Sequence, residues 1–394
     1  MAKILLIQWA GSAYDSLRFL LDLTAAEMVA DGHHVERVVI DQKGWQDRLV
    51  SLIQTQGPWQ LALGMSGVGL EVAPENGPRV WDAAKIPFFT WFCDHPAHFP
   101  ARHTTRSVYS IMGYVFPDHA RFARDHLAVN GVTFAVHLGI PRRASFADPA
   151  RPLDRRNGRI AFFKSGADEN ALRTSWHRTL PPLLARLMED AAEACAGTSV
   201  AAMMPTLRQV AERHDIFLAP DGKLCLALLQ RLDVFERARR TNMVMRGLLD
   251  LPVDVYGSNW GHIDWHGKQA VPRAPLTFPD MMARLPAYVG SLSVNPLVSE
   301  SVHDRVFFAL AAGVVPVADG NRFSAEHMPG LGTYRYDFTP GSAAAAAGAL
   351  LADPHRALAA AEAAHEALLP RFSLRESARR IITFCGLHVA NARV

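Results

Sequence analysis

The sequence predicts an α/β protein made of two doubly wound, Rossmann-like domains facing a cleft, with a helical insertion in the second. Three observations predict it. The chain has 394 residues, more than a single hydrophobic core organises. Short apolar runs alternate with helical patterns, and the runs are continuous, as in parallel strands covered on both faces. The pattern also stops once, at a polar stretch containing two prolines, and then begins again.

The first domain is expected over residues 1–145. Its strand candidates are Lys3–Trp9, Val35–Asp41, Leu61–Ser66, Pro87–Asp94, Ile111–Pro117 and Thr133–Leu138. A helix is expected at Asp15–Ala30, where Leu17, Leu20, Leu21, Thr24 and Met28 recur at helical spacing and Gly32 follows as a stop. Residues 146–158 read as a linker. The second domain, 159–372, opens with Arg159–Lys164 and carries the helical insertion at about 174–232. A helix through Ala238–Leu249 and strands at Val253–Tyr256, Tyr288–Asn295 and Val314–Ala318 follow, the last two separated by a helix at Val302–Ala312. The alanine-rich stretch Ser342–Leu369 reads as surface helices. Residues 373–394 form a last helix returning to the first domain.

Composition narrows the function. A net charge of +3 gives no broad basic field, so no nucleic-acid partner is expected. Arg371, Arg375, Arg379 and Arg380 read as a solvated helix face. Cys93, Cys195, Cys225 and Cys385 are scattered without a CxxC, which suggests neither a disulfide scaffold nor a zinc site and favours a reducing compartment. The N-terminal apolar run is too short for a signal peptide, and no run approaches the ~18 residues of a membrane span. A cytoplasmic protein without a transmembrane segment is expected, with peripheral contact to a membrane-bound acceptor left open.

The most informative segment is Tyr288–Asp319, YVGSLSVNPLVSESVHDRVFFALAAGVVPVAD. It reads strand, loop, helix, glycine stop, strand. Ser301 fits an N-cap and Asp304, three residues on, a capping box. Val302, Val306, Ala309, Leu310 and Gly313 share one face, and Gly313 fits the position just past the helix. The helix start then lies beyond the carboxyl end of a strand, where free N–H groups near Val302–Asp304 and the helix dipole attract phosphate. His303 and Arg305 fall in the first turn, and Arg305 adds a fixed positive charge. Plain capping and surface side chains are the competing reading.

Asn295-Pro296, His303-Asp304-Arg305-Val306-Phe307, Ala309–Gly313 and Pro316–Asp319 together resemble a motif of GT-B glycosyltransferases, and more narrowly of the CgeB-like, spore-maturation-protein-like group. The motif covers about 25 residues. The resemblance implies a nucleotide-sugar donor bound in the second domain, an acceptor in the first, and metal-independent transfer with no cofactor besides the donor substrate. At one position the sequence departs from the motif. Where such motifs commonly carry a glutamate held to contact the ribose, this chain has Phe308, which can stack on a base or sugar or pack against another helix.

Three loops after strands of the first half carry reactive residue types. The first contains Gly11 and Ser12. The second, Gly64–Gly69, contains Ser66 and Gly67 and is not the dinucleotide fingerprint. Like the first, it is an expected acceptor-side loop. The third contains Asp94 and His95, either of which suits a general base, with a plain strand-end turn as the alternative. His95, His98 and His103 fit no strong zinc spacing, and no metal is expected. In the second half, Gly257, Ser258, Asn259 and Trp260 form a strand-end loop expected near the nucleotide, with Trp260 placed to stack on the base. Lys164 is a further phosphate candidate by its position at the end of Arg159–Lys164, with a plain surface lysine as the competing reading. Two rivals to transfer remain: a non-catalytic sugar or nucleotide binder, and a sugar-nucleotide epimerase of the same shape.

Overall fold

The computed structural model describes residues 1–104, 107–127, 132–149, 151–196 and 200–392. The chain divides into two compact units, Met1–Pro141 with Arg371–Val394, and Arg142–Pro370. Residue 150 of the expected linker and residues 197–199 of the expected insertion lie outside the described residues.

In the first unit the described strands are β1 (Lys3–Gln8), β2 (His34–Val39), β3 (Leu61–Met65), β4 (Phe88–Phe92), β5 (Ser110–Tyr114) and β6 (Val132–Ala135). They pair in parallel in the order β2-β1-β3-β4-β5-β6. Every residue of β3, β4 and β5 is buried, which is why those runs read as continuous rather than alternating. The chain order reverses direction between β1 and β3. Open α/β sheets bind ligands beyond the carboxyl ends of strands at such a reversal. The last helix, Leu374–Ala392, packs along helix Ser16–Ala30. There Arg375 Nε (2.6 Å) and Arg379 Nε (2.7 Å) donate to Asp31, so part of the expected solvated arginine face is paired. The two guanidiniums hold the Asp31 carboxyl down at about 2.

In the second unit the described strands are β7 (Ile160–Phe163), β8 (Val253–Tyr256), β9 (Val271–Arg273), β10 (Gly290–Ser293), β11 (Val315–Asp319) and β12 (Arg335–Tyr336). They are parallel in the order β12-β11-β10-β7-β8-β9, with the reversal between β7 and β10. Strands β9 and β12, only 3 and 2 residues long, were too short to leave a pattern in the sequence. The expected break between an insertion ending near 232 and a helix beginning at Ala238 does not exist. Lys223–Gly247 is one helix, packed with Glu169–Thr179, Pro182–Ala194 and Val200–Arg213.

The stretch expected as a linker is part of the second unit. Phe146 is buried edge-on against Phe308. Arg156 donates to the carbonyls of Tyr288 (3.0 Å) and Gly313 (2.8 Å). The alanine-rich helices Ser342–Ala352 and Pro354–Phe372 are less exposed than their composition suggests: Ala343, Ala346, Ala347 and Leu350 are buried, and the first packs on β11 and β12. Among the described residues no helix is long and apolar enough to cross a membrane.

Candidate active site

Lys164 immediately follows β7, and the segment Asn295–Arg305 follows β10, so both flank the reversal of the second sheet. Backbone contacts fix Lys164 in place. Its N–H donates to Tyr256 O (2.9 Å), and its carbonyl accepts from the indole N–H of Trp260 (2.9 Å). The loop after β8 lies directly against it. Gly166 N–H donates to Ser258 O (2.9 Å), and the Ser165 and Ser258 hydroxyls are 3.2 Å apart. A Cβ on Gly257 would fall 2.2 Å from Lys164 O, so only glycine permits this approach. Gly257, Ser258, Asn259 and Trp260 thus brace the phosphate-candidate loop. Trp260 is buried, packing against Phe162, His262 and Trp265. Its indole is occupied internally and offers no open face to a base.

The helix after β10 starts later than expected. It spans Asp304–Ala311, and His303 is its N-cap, accepting through Nδ1 from Arg305 N–H at 3.3 Å. Asp304 Oδ1 shares that N–H at 2.9 Å. Ser301 is not the cap. It is fully buried, and its carbonyl accepts from Asn321 Nδ2 at 2.7 Å. Val302 is buried as well. Asn295 ties the turn to the next strand: its N–H donates to Asp319 Oδ1 (2.7 Å) while its side-chain oxygen accepts from His303 N–H (2.7 Å). The N–H groups of His303 and Arg305 are therefore already used and are not free donors at this helix start. Gly313 follows the C-cap Ala312 with φ +67°, as expected of a residue just past the helix.

Phe308 is buried and packs edge-on against Phe146 and Phe278. The helix is covered on this side as well as on the sheet side. Of the two possibilities left open for Phe308, stacking on a ligand and packing in the protein, the structure has the second, and Phe308 presents no ring to a nucleotide.

The side chains that gather here are charged. Burial is the main cause that lowers Lys164 to about 7, followed by the Arg305 and Arg237 guanidiniums; Asp233 and Asp304 oppose it less strongly. Burial and then Arg305 lower His303 to about 4, so it is neutral at pH 7. Burial pushes the Asp304 carboxyl up, but its His303 and Arg305 contacts outweigh this and hold it low, so it is ionised. Arg305 Nη1 is buried without a hydrogen-bond partner. Arg237 belongs to helix Lys223–Gly247, with Nε 3.0 Å from Asp233 Oδ2. Sequence reading passed over Arg237 and Asp233 because they lie far from the motif on an unremarked helix.

In the first unit, the loops after β1 and β3 flank that sheet's own reversal. Ala10 N–H donates to Asp41 Oδ2 (3.2 Å) and Leu17 N–H to Ser12 Oγ (3.3 Å). Gly11 packs on the indole of Trp9, whose side chain is exposed. Arg102 Nη1 donates to Ser66 O (2.7 Å), and Gly67 N–H donates to Thr90 Oγ1 (2.8 Å). Beyond β4, Asp94 is exposed and His95 is buried. His95 caps the following turn, accepting from Ala97 N–H at 3.2 Å, and its ring packs on His119 and Phe122. It is a packing residue of this loop, and Asp94 is the group of the pair that faces outward.

Glu362, His365 and Glu366 are the one group among the described residues whose ligand atoms lie close enough to hold a metal. The Arg143 guanidinium occupies it, contacting Glu362 and lying 3.2 Å from His365 Nδ1, so its charge opposes a cation there.

Residues 231–383 match the family described as Glycosyl transferase-like. The chain carries a glycosyltransferase domain. No curated protein matches the sequence. Solved structures match the fold across nearly the whole chain. Sucrose-phosphate synthase from Thermosynechococcus elongatus is 11% identical with a TM-score of 0.52, covering 99% of this chain and 100% of its own. Anabaena Alr3699/HepE in complex with UDP-glucose is 11% identical with a TM-score of 0.53, covering 98% and 100%. An alpha-glucosyltransferase in complex with UDP and DNA is 8% identical with a TM-score of 0.53, covering 98% and 100%. At such identities the likeness is one of fold. Two Rossmann-like units, each with a parallel six-stranded sheet, give the chain the GT-B fold of these solved structures.

Proposed function

We propose that the protein transfers a sugar from a nucleotide-activated donor to a hydroxyl or amine acceptor, with the donor phosphate held by Lys164 and Arg305. One observation carries this reading: a guanidinium nitrogen of Arg305 is buried without a partner beside a half-buried lysine at the reversal of the second sheet. Unmade hydrogen bonds of buried charged groups are costly, and an anionic ligand supplies the missing acceptors. The UDP and UDP-glucose complexes of proteins with the same fold favour the same donor chemistry. Negative charge develops on the leaving phosphate as the glycosidic bond breaks. Fixed cations there stabilise it without a metal ion.

Asp94 is the general base in this reading if the configuration at the sugar inverts, and the Gly11–Ser12 and Ser66–Gly67 loops hold the acceptor. The motif at Asn295–Asp319 supports kinship with the CgeB-like group, and four free cysteines suit a cytoplasmic enzyme. Melting curves with UDP, GDP, ADP and CMP, followed by turnover assays with the stabilising nucleotide's sugars in EDTA, test the proposal. Nucleotide release that needs an acceptor and survives EDTA supports it. Binding without turnover favours a binder, an isomerised donor an epimerase, and no stabilisation by any nucleotide sinks the donor site.

A further inference from the structure

The first unit keeps most of its aromatic side chains buried. Among its described residues, the tryptophan, tyrosine and phenylalanine side chains that stand exposed are Trp9, Tyr14 and Phe99, at 41%, 44% and 44%. All three lie at one edge of the sheet. Trp9 directly follows β1, Tyr14 sits in the same connection, and Phe99 lies in the connection after β4. Strands β1, β3 and β4 are parallel neighbours. Their carboxyl ends therefore share that edge, with the Ser66–Gly67 loop in the middle. Apolar rings left exposed together, where an open α/β sheet binds ligands, point to a binding surface.

Two of these rings are braced by their surroundings. The Trp9 indole is seated on Gly11, where a Cβ would come within 2.6 Å of it. The Arg102 guanidinium lies over the Phe99 ring at 4.4 Å, while its Nη1 donates to Ser66 O at 2.7 Å. Phe99 is thereby tied to the loop after β3, and a ligand would meet its other face. That loop is fixed from both sides. Ser66 N–H donates to Trp91 O (3.0 Å), and a Cβ on Gly69 would fall 2.4 Å from Ile7 of β1. Strands β1 and β4 stand two strand spacings apart, so the connections that carry Trp9 and Phe99 start about 10 Å from each other. Asp94, exposed just past the end of β4, and Ser12, between Trp9 and Tyr14 in sequence, add polar groups to the same edge.

We propose that the acceptor is a neutral glycan chain, and that Trp9, Tyr14 and Phe99 are the platforms on which its sugar rings stack. This rests on the reading of the strand-end loops of the first unit as the acceptor side. A sugar ring carries C–H groups on its faces and hydroxyls around its rim. The C–H hydrogens are weakly positive and meet the negative face of an aromatic ring. The hydroxyls need polar partners close by. An edge that mixes exposed rings with the Asp94 carboxylate, the Ser12 hydroxyl and the Arg102 guanidinium offers both. A wholly apolar acceptor calls instead for an enclosing apolar pocket, whereas these rings stand partly in water beside charged groups. A phosphate-rich acceptor calls for a field of cations. Arg102 is engaged with Phe99 and Ser66, and the chain's net charge is only +3. Platforms about 10 Å apart reach beyond a single sugar ring, which favours a chain over a monosaccharide.

The test uses the full-length protein, with and without the nucleotide that stabilises it. A glycan array is followed by saturation-transfer NMR with the free oligosaccharides that bind, and naphthol serves as an aromatic probe that is not a sugar. Wild type is compared with Trp9→Ala, Trp9→Phe and Phe99→Leu. These side chains are exposed, so each variant should melt as wild type does. Trp9→Ala and Phe99→Leu should each weaken glycan binding about two- to tenfold, the worth of one stacked ring, and Trp9→Phe should recover part of the loss. Saturation should pass to the C–H protons of the sugar rings. Wild type that binds no neutral glycan overturns the inference, and so does glycan binding that both ring-deleting variants keep. Naphthol bound in preference to every glycan, and lost in the same variants, overturns it in favour of an aromatic acceptor. None of these failures touches stabilisation by nucleotide, which belongs to the second unit. Glycan binding that needs Trp9 and Phe99, with no stabilisation by any nucleotide, supports the glycan surface and removes the donor reading.

Discussion

Lys164 offers a test in which pH is the perturbation. Its ammonium is lowered from 10.5 to about 7 in the empty site. A bound phosphate favours the charged form, so nucleotide binds the protonated lysine and draws in a proton when the site is neutral. Affinity should then fall as pH rises through 7. With the empty site at about 7 and the occupied site titrating far above, the dissociation constant rises about 25-fold between pH 6.5 and 8.5, or roughly 1.9 kcal/mol. The ligand's own terminal phosphate titrates in the same range with the opposite effect, so the quantity to follow is the ratio of wild type to Lys164→Met at each pH. Calorimetry in two buffers of different ionisation enthalpy supplies a second readout, proton uptake on binding near pH 8. A ratio that stays flat from pH 6 to 9, with no proton uptake, would refute the role given to Lys164. The stability sign also follows. The unfolded chain keeps this proton up to about 10.5 while the folded protein releases it near 7, so the unfolded state binds more protons in between and stability rises with pH across that window. Lys164→Met should accordingly raise the melting temperature at pH 7 and below while it removes nucleotide binding.

Phe308→Ala should cost about 3–5 kcal/mol of stability, as for a buried phenylalanine, with nucleotide affinity of the folded fraction unchanged; chemical denaturation and calorimetry separate the two, and the reverse outcome would return Phe308 to the site. Gly257→Ala places a methyl 2.2 Å from Lys164 O, so it should displace the lysine and reduce nucleotide binding more than the loss of stability explains; wild-type affinity would mean that the loop yields without moving Lys164. Asp94→Asn should reduce turnover with little change in donor binding, whereas His95→Ala should lower the melting temperature, because its ring is packed and its nitrogen caps a turn. Full activity of Asp94→Asn across pH removes it as the base.

Much of the fold was legible because parallel strands buried on both faces leave continuous apolar runs. All six strands described in the first unit coincide with expected strands to within a few residues at their ends, and β3, β4 and β5, buried throughout, are the clearest such runs, while the edge strands β2 and β6 are mostly not buried. In the second unit the strands that went unseen, Val271–Arg273 and Arg335–Tyr336, are short edge elements, and pairing rather than pattern defines them. The site was legible in part. Lys164 and Arg305 are candidates from their places after a strand and in the first turn of a helix, and the structure keeps both at those places. Ser301 misled because a serine three residues before an acid is a good cap in isolation. Here Asn295, from the start of the same loop, and Asn321, from beyond the next strand, hold the turn instead. Phe308 stayed open between stacking on a ligand and packing because a helical wheel shows the face away from the sheet but not the aromatic side chains packed against it.

Arg237 is the instructive case, because its signal was present in the sequence. Charged residues at helical spacing are read by default as a solvated stripe, and on an amphipathic surface helix that default holds. Lys223–Gly247 is not such a helix. Leu226, Leu229, Leu232, Phe235, Ala238, Val244 and Met245 are buried around it, and their positions do not confine themselves to one side. A helix apolar on several sides is enclosed on several sides, so charged residues placed among its leucines cannot all reach water. The cost of enclosing them has to be met by partners inside the protein or by a ligand. Asp233 pairs with Arg237, and Glu236 with Arg239; Glu236 Oε1, Arg237 Nη2 and Arg239 Nε stay buried without a hydrogen-bond partner, so these pairs meet only part of that cost.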